Sequence, residues 1–318
     1  MQHDQFWLPA DDGTPLYVHH WGTAGTPRAV VMIAHGMAEH AGRYGRFAQA
    51  LNQAGLDVYA HDQRGHGRTA EQAETGHFAD VDGWQKVLRD LSTLNHRIRQ
   101  QHPNTPIFLL GHSMGSYLTL AYLMQHSCSL QGAILSGSDR QPARTYRSAA
   151  LLARFERWRL GPGGRSALLH HLSFGTFNRA FRPNRTRFDW LSRDPDEVDR
   201  YLADPLCGFR CSNQLWVDLL EGLTKISAAA ALEQIAEHLP LLVIGGARDP
   251  VSQGTRLQHL AQALTDAGNH VELKIYPDAR HELLNESNRD EVTHDLIDWL
   301  NRTLALSAAS PTTPEDPE

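Results

Sequence analysis

Six uninterrupted apolar residues, Ala29 to Ala34, end at His35-Gly36. A run this short, closed by glycine, reads as a strand buried on both faces. Phe47 and Leu51 then recur at helical spacing before a stop at Gly55, and Asp57 to His61 reads as the next strand. A longer helical pattern runs from about Asp82 to His102 until Pro103 and Pro106 break it, and Ile107 to Leu110 is again a short buried strand. The alternation continues with a helix from Ser113 to His126 and a strand at Gly132 to Ser136. Later strands fall at Leu241 to Ile244 and Val271 to Tyr276, each followed by a helical pattern, the last ending near Leu304. Buried strands separated by helices imply parallel crossovers and a helix-flanked sheet.

Three segments depart from this rhythm. Phe6 to Pro9 and Pro15 to Trp21 read as two short strands around a turn at Gly13-Thr14, an antiparallel edge to the sheet. From about Arg140 to Lys225 the chain is rich in Arg and aromatics, with Pro and Gly scattered through it and no strand pattern. It is expected to be a helical cap inserted after the sixth strand. The core is therefore assigned to residues 1–139 and 231–307 and the cap to 140–230. The tail 308–318, with Pro311, Pro314 and Pro317 among small and acidic residues, is expected to be disordered. A length of 318 residues suits one core with an insertion.

Composition narrows the classes. The hydrophobic fraction of 41% is enough for a real core, and a formal charge of −6 without blocks of like charge gives no electrostatic reason to expect a nucleic-acid partner. The first thirty residues hold Asp4, Asp11 and Asp12 and no apolar run of signal-peptide length, and no stretch elsewhere approaches a membrane span. A cytoplasmic location is the expectation. Cys128, Cys207 and Cys211 cannot all pair within one chain and form no C-x-x-C, so they read as free thiols.

The candidate chemistry begins at Gly111-His112-Ser113-Met114-Gly115, a G-x-S-x-G string between a buried strand and a helix. The string alone arises by chance in about one chain in ten of this length. Its strand-to-helix setting is what identifies the nucleophile elbow of the α/β-hydrolase fold. A serine hydroxyl needs a base, and that base needs a partner to fix its tautomer. In this fold the chain order is serine, acid, histidine. Of 19 histidines, His281 is the one that stands shortly after the last core strand, and Asp249 follows Leu241 to Ile244 in the loop Gly245-Gly246-Ala247-Arg248-Asp249-Pro250. Asp139, just after the strand ending at Ser136, is the competing acid. Oxyanion donors are expected at the backbone amides of Met114, after the nucleophile, and of Met37, after His35-Gly36, where glycine permits a close backbone approach.

Taken together, His35-Gly36-Met37-Ala38-Glu39-His40, Asp62-Gln63-Arg64-Gly65-His66-Gly67, the Ser113 motif, Ala247-Arg248-Asp249-Pro250-Val251 and His281-Glu282 resemble the monoacylglycerol lipase and lysophospholipase family, also filed as serine aminopeptidase S33. The likeness runs through Val30 to Ser136 and Leu241 to Leu300 and is weak across the cap, where it is limited to phrases such as Asp204-Pro205-Leu206. It implies a cofactor-free, metal-free carboxylic ester hydrolase working through an acyl-enzyme on Ser113, with Asp249 and His281 completing the triad. Asp62, Arg64 and His66 match a loop near the site, which the resemblance and the donor count of arginine assign to structural support.

Residues 140–187 hold eleven arginines and one carboxylate, Glu156, beside Tyr146, Phe155, Trp158, Phe174, Phe177 and Phe181. Such a cap could dock on anionic lipid or receive a phosphate-bearing lysolipid; an ordinary solvated face is the favoured reading, because arginines and aromatics do not segregate at helical spacing. A zinc site meets an obstacle at Asn285, which stands where H-E-x-x-H needs its second histidine, and His35 with Glu39-His40 misses the inverted form by one position. The remaining rivals are an aminopeptidase or small-molecule esterase, with Asp218 or Glu221 available to a peptide amine, and a non-catalytic ligand-binding protein on the same scaffold.

Overall fold

The computed structural model describes residues 2–309. Eight strands form one sheet: β1 (Gln2–Pro9), β2 (Pro15–Gly22), β3 (Ala29–Ala34), β4 (Leu56–His61), β5 (Ile107–His112), β6 (Gly132–Ser136), β7 (Pro240–Gly246) and β8 (His270–Tyr276). Their order is β1-β2-β4-β3-β5-β6-β7-β8. The two β1–β2 and β2–β4 pairs are antiparallel and every later pair is parallel. β1 begins at Gln2, four residues earlier than its apolar pattern suggests. It lies at the sheet edge with Gln2 to Gln5 exposed, so nothing selects for apolar residues there.

β3, β4, β5 and β6 are buried at every position because helices cover both faces. Alternate side chains of each strand serve opposite cores. Val30, Met32 and Ala34 pack with Leu91 and Leu94 of α2 (Gly83–Gln101) and with Leu118 of the helix after β5. Ala29, Val31 and Ile33 pack with Phe47 and Leu51 of α1 (Gly45–Gln53) and with Leu296 and Trp299 near the end of the chain. The elbow helix is α3 (Met114–His126).

Between β6 and β7 the longer elements are helices joined by loops and short turns, α4 (Ala143–Leu160), α5 (Ala167–His170), α6 (Pro195–Ala203), α7 (Asn213–Ile226) and α8 (Ala229–Leu232). Leu215, Leu219 and Leu223 of α7 join the core cluster of α2 and α3, while Phe188, Trp190, Leu191, Val198 and Tyr201 make a small core of their own. After β7 come α9 (Thr255–Asp266) and, after β8, α10 (Arg289–Ala309). α10 continues two residues into the segment assigned to the tail; the rest of that tail lies outside the described residues. Cys128, Cys207 and Cys211 are free thiols. Among the described residues no helix is long and apolar enough to cross a membrane.

This order positions the site. β3 sits between β4 and β5, so the chain leaves it in one direction and returns on its other side. The carboxyl ends of β3, β5, β6, β7 and β8 therefore face one crevice.

Candidate active site

At the end of β5 the backbone turns sharply into α3, and Ser113 occupies the turn at φ 52°, ψ −118°. A non-glycine residue held there carries strain that the surroundings must impose. Two close approaches impose it. A Cβ on Gly115 would lie 1.9 Å from the Ala34 carbonyl oxygen, and one on Gly111 would lie 2.3 Å from the Gly115 carbonyl oxygen and from Thr119 Oγ1. The Ser113 N–H donates to the Ser136 carbonyl at 2.9 Å, tying the turn to β6.

The loop after β3 wraps the same point. Its Gly36 N–H donates to Glu39 Oε1 at 2.6 Å, and the Tyr44 hydroxyl donates to that oxygen at 3.0 Å. A Cβ on Gly36 would lie 3.4 Å from Ser113 Cβ, so this loop borders the serine directly. Neither the Met37 nor the Met114 amide has a partner among the described residues; Met114 opens α3, where the helix itself supplies no acceptor. His35 anchors the loop from below: its Nδ1 donates to the Gly36 carbonyl at 2.8 Å and its Nε2 accepts the Gln63 N–H at 2.9 Å. Burial pushes His35 far below its ordinary pKa and keeps it neutral, as that pattern requires.

His281 and Asp249 meet across the ends of β7 and β8. Gly246 makes this possible, since a Cβ there would lie 2.1 Å from the Ala279 carbonyl oxygen. Asp249 Oδ2 is 3.0 Å from His281 Nδ1 and accepts from Ser252 Oγ at 2.9 Å, while Oδ1 accepts the Val251 N–H at 2.8 Å. Burial pushes the Asp249 carboxyl up, but His281 and these donors hold it below its usual range. An ionised carboxylate only accepts, so Nδ1 carries the proton and Nε2 keeps its lone pair. Burial pulls His281 down, yet the charge of Asp249 outweighs it and the histidine stays above its ordinary value. His112, with its ring 4.8 Å from that of His281, is pushed down to about 4 by burial and by this neighbour.

Other residues singled out from the sequence lie elsewhere. Asp139 is buried and accepts from Tyr117, Tyr146 and Gln141 at 2.5–3.0 Å, so its oxygens are engaged away from His281. Asp62 accepts the N–H groups of Ala41 and Arg68 at 2.8 and 2.7 Å. Arg64 donates to Asp90 and Asp12 at 2.6–2.9 Å, and His66 is buried beside His35 and Phe209. Asp62, Arg64 and His66 are outside the cavity lining, as are Asp218 and Glu221. Glu282 is taken by Arg43 and Asn285. Arg43 was not legible as a site residue: its spacing to Glu39 suggests only a helical ion pair, whereas its second partner is 239 positions away. Ligand-type atoms of His40, Asp204 and Cys207, and of His20, Asp57 and His102, also lie within 4.8 Å of one another; in each group a histidine already pairs with the carboxylate.

Ser113, His281, Met37 and Met114 line one cavity of about 180 Å³. Its far walls are apolar and come from the insertion, with Phe174, Phe177, Trp216, Leu219, Leu220 and Leu223. A nucleophile candidate, a polarised histidine–carboxylate pair and two unpartnered amides around an apolar chamber can together carry out acyl transfer.

Residues 25–288 match the family described as serine aminopeptidase, S33. The chain is 32% identical to a monoacylglycerol lipase of Mycolicibacterium smegmatis over 88% of its own length and 90% of that protein, and 29% identical to a monoglyceride lipase of Rattus norvegicus over 94% and 90%. In structure it is similar to a carboxyl esterase from Bacillus coagulans solved in complex with glycerol, with a TM-score of 0.88, 27% identity, and coverage of 96% of this chain and 99% of that one. The elbow contacts make a direct prediction. Gly115→Ala is expected to lower the unfolding free energy in denaturant titration by about 4 kcal/mol or more, or to abolish folding. Gly22→Ala, whose Cβ would meet only ordinary contacts at 3.5 Å, should change it by about 1 kcal/mol or less.

Proposed function

Because the chain belongs to the serine aminopeptidase S33 family and has the α/β-hydrolase fold, we propose that it hydrolyses carboxylic esters of the monoacylglycerol type through an acyl-enzyme on Ser113. In this reading Ser113 Oγ attacks the ester carbonyl carbon while its proton passes to Nε2 of His281, and Asp249 stabilises the imidazolium. The Met37 and Met114 amides receive the oxyanion. Collapse of the tetrahedral intermediate expels the alcohol, which takes its proton from His281. Water, deprotonated by the same histidine, then releases the carboxylic acid and restores Ser113.

The observation that carries the reading is the convergence of Ser113, the His281–Asp249 pair and the two free amides on one apolar chamber. The lipase and esterase relatives support an ester rather than a peptide. A peptide amine would also require an uncommitted carboxylate at the chamber, and Glu39, Asp139 and Glu282 are each already engaged. A lysophospholipid is the nearest alternative ester.

A second observation bears on where the substrate comes from. On α4 the residues Arg144, Arg147, Leu151, Phe155 and Trp158 follow helical spacing along one face, opposite the buried Tyr146, Ala150 and Ala153. Leu151, Phe155 and Trp158 are 64%, 52% and 80% exposed. Arg144 and Arg147 have no carboxylate partner among the described residues. Three large apolar side chains next to unpaired cations on one helix face suit an anionic lipid surface better than water. On this helix arginines and apolar residues do not segregate but share one exposed face.

Two measurements test these readings. On a panel of p-nitrophenyl esters, a monoacylglycerol, a lysophospholipid and an amino-acid anilide, the esters should turn over, the anilide should not, and Ser113→Ala should remove activity. kcat/KM should rise with pH along a limb centred above the ordinary histidine value of about 6.5, because the base must be neutral and Asp249 holds it protonated. Equal activity of the mutant would contradict the mechanism. In vesicle sedimentation, binding to phosphatidylglycerol-containing vesicles should exceed binding to neutral ones and weaken with salt. Trp158→Ser combined with Phe155→Ser should reduce it without altering hydrolysis of a soluble short ester. Unchanged binding would contradict the lipid-facing role.

A further inference from the structure

The loop that bears the Met37 amide and the loop that bears His281 are joined by one side chain. Arg43 Nη1 donates to Glu39 Oε2 at 2.6 Å and to Glu282 Oε1 at 2.7 Å, and its Nη2 donates to Glu282 Oε2 at 2.6 Å. All three side chains are nine-tenths buried or nearly so. The other oxygen of Glu39 fixes the Gly36 N–H, one residue before Met37, and Glu282 directly follows His281 in the chain. The guanidinium lies 4.9 Å over the ring of Tyr201, whose hydroxyl donates to the Ala38 carbonyl at 2.8 Å, closing the clamp over the same loop from the side of α6.

A buried ionic triad of this kind contributes little net stability compared with a well-packed apolar replacement, because desolvation of three charges offsets their attraction. Its distinctive property is geometric. The planar fork of arginine accepts one arrangement of two carboxylates, which a lysine ammonium does not enforce. Two loops from opposite ends of the sequence, carrying an oxyanion donor and the general base, are thereby held in one register.

We propose that Arg43 is a positioning residue that sets the Met37 amide and His281 relative to Ser113 by clamping Glu39 and Glu282. This rests on the triad reading above. The clamp also shapes the field at the base. His281 faces Asp249 from the loop after β7, His112 from the elbow, and Glu39 and Glu282 with Arg43 between them. Two carboxylates against one guanidinium leave an excess negative charge that favours the imidazolium, and both glutamates act to raise His281.

Arg43→Lys and Glu282→Gln test this in the full-length protein. With a soluble p-nitrophenyl ester at a pH above the histidine limb, Arg43→Lys should lose on the order of 100-fold in kcat, as expected for misplaced groups, with KM within about twofold of wild type. Thermal unfolding identifies whether the variant is folded. A folded Arg43→Lys with wild-type kcat, or with its whole loss in KM, overturns the proposal. If that variant does not fold, Glu282→Gln decides: it removes the charge beside His281 and one acceptor of the fork, so kcat should fall and the His281 titration should move to lower pH. An unchanged kcat together with an unchanged titration overturns it. That titration is followed by 15N NMR of the imidazole and needs no turnover. A wild type without esterase activity but with this shift would therefore refute the proposed reaction while leaving the clamp standing.

Discussion

The Ala34 carbonyl oxygen occupies the place where any side chain at position 115 would have to begin. This contact between the end of β3 and the first turn of α3 fixes how closely the helix approaches the sheet. It brings Met114 at the start of the helix and the loop through Met37 to the lining of one cavity, and it holds Ser113 at a positive φ in the turn between β5 and α3. The strain there is sustained because β3, β5 and β6 are buried on both faces and cannot yield. Gly246 performs the corresponding service at the other side of the crevice, allowing the loops after β7 and β8 to touch so that Asp249 can reach His281.

The sheet supplies direction and the loops supply contact. Parallel strands send their carboxyl ends to one edge, but an edge is several residues wide, and side chains arriving there from distant segments still need a common frame. His35 with Gln63, Asp62 with the amides of Ala41 and Arg68, and Arg43 with Glu39 and Glu282 are each buried polar links between loops of this edge. Buried polar groups of this kind are costly unless satisfied, and satisfied they rigidify. The far side of the cavity is by contrast apolar and is furnished by the insertion, so in the proposed reading the reacting groups and the walls that would hold the acyl chain come from different parts of the chain.

What the sequence discloses follows from what its patterns encode. β3 and β5 are legible because burial on both faces leaves a continuous apolar run, and the elbow is legible because only glycine survives at two positions around the serine. The first half of β1 is not, since Gln2 to Gln5 face water and pair only through their backbone. The cap reads as helical but its turns do not. Their order comes from long-range bonds such as those of Asn213, which holds the Glu156 and Gly161 carbonyls and the Ser166 N–H. Ser113, His281 and Asp249 each follow a strand, so position in the alternation points to them. Arg43 follows none, and its meaning resides in a partner that only folding brings near.

The proposed chemistry stands on Ser113 as the nucleophile of this crevice. Its most direct test is reaction with a fluorophosphonate, followed by mass mapping of the labelled chain alongside residual esterase activity. A single phosphonyl adduct on Ser113 is expected, with loss of activity in proportion to labelling. Continued ester turnover by fully labelled protein, or an adduct on another residue that tracks the loss, would contradict it.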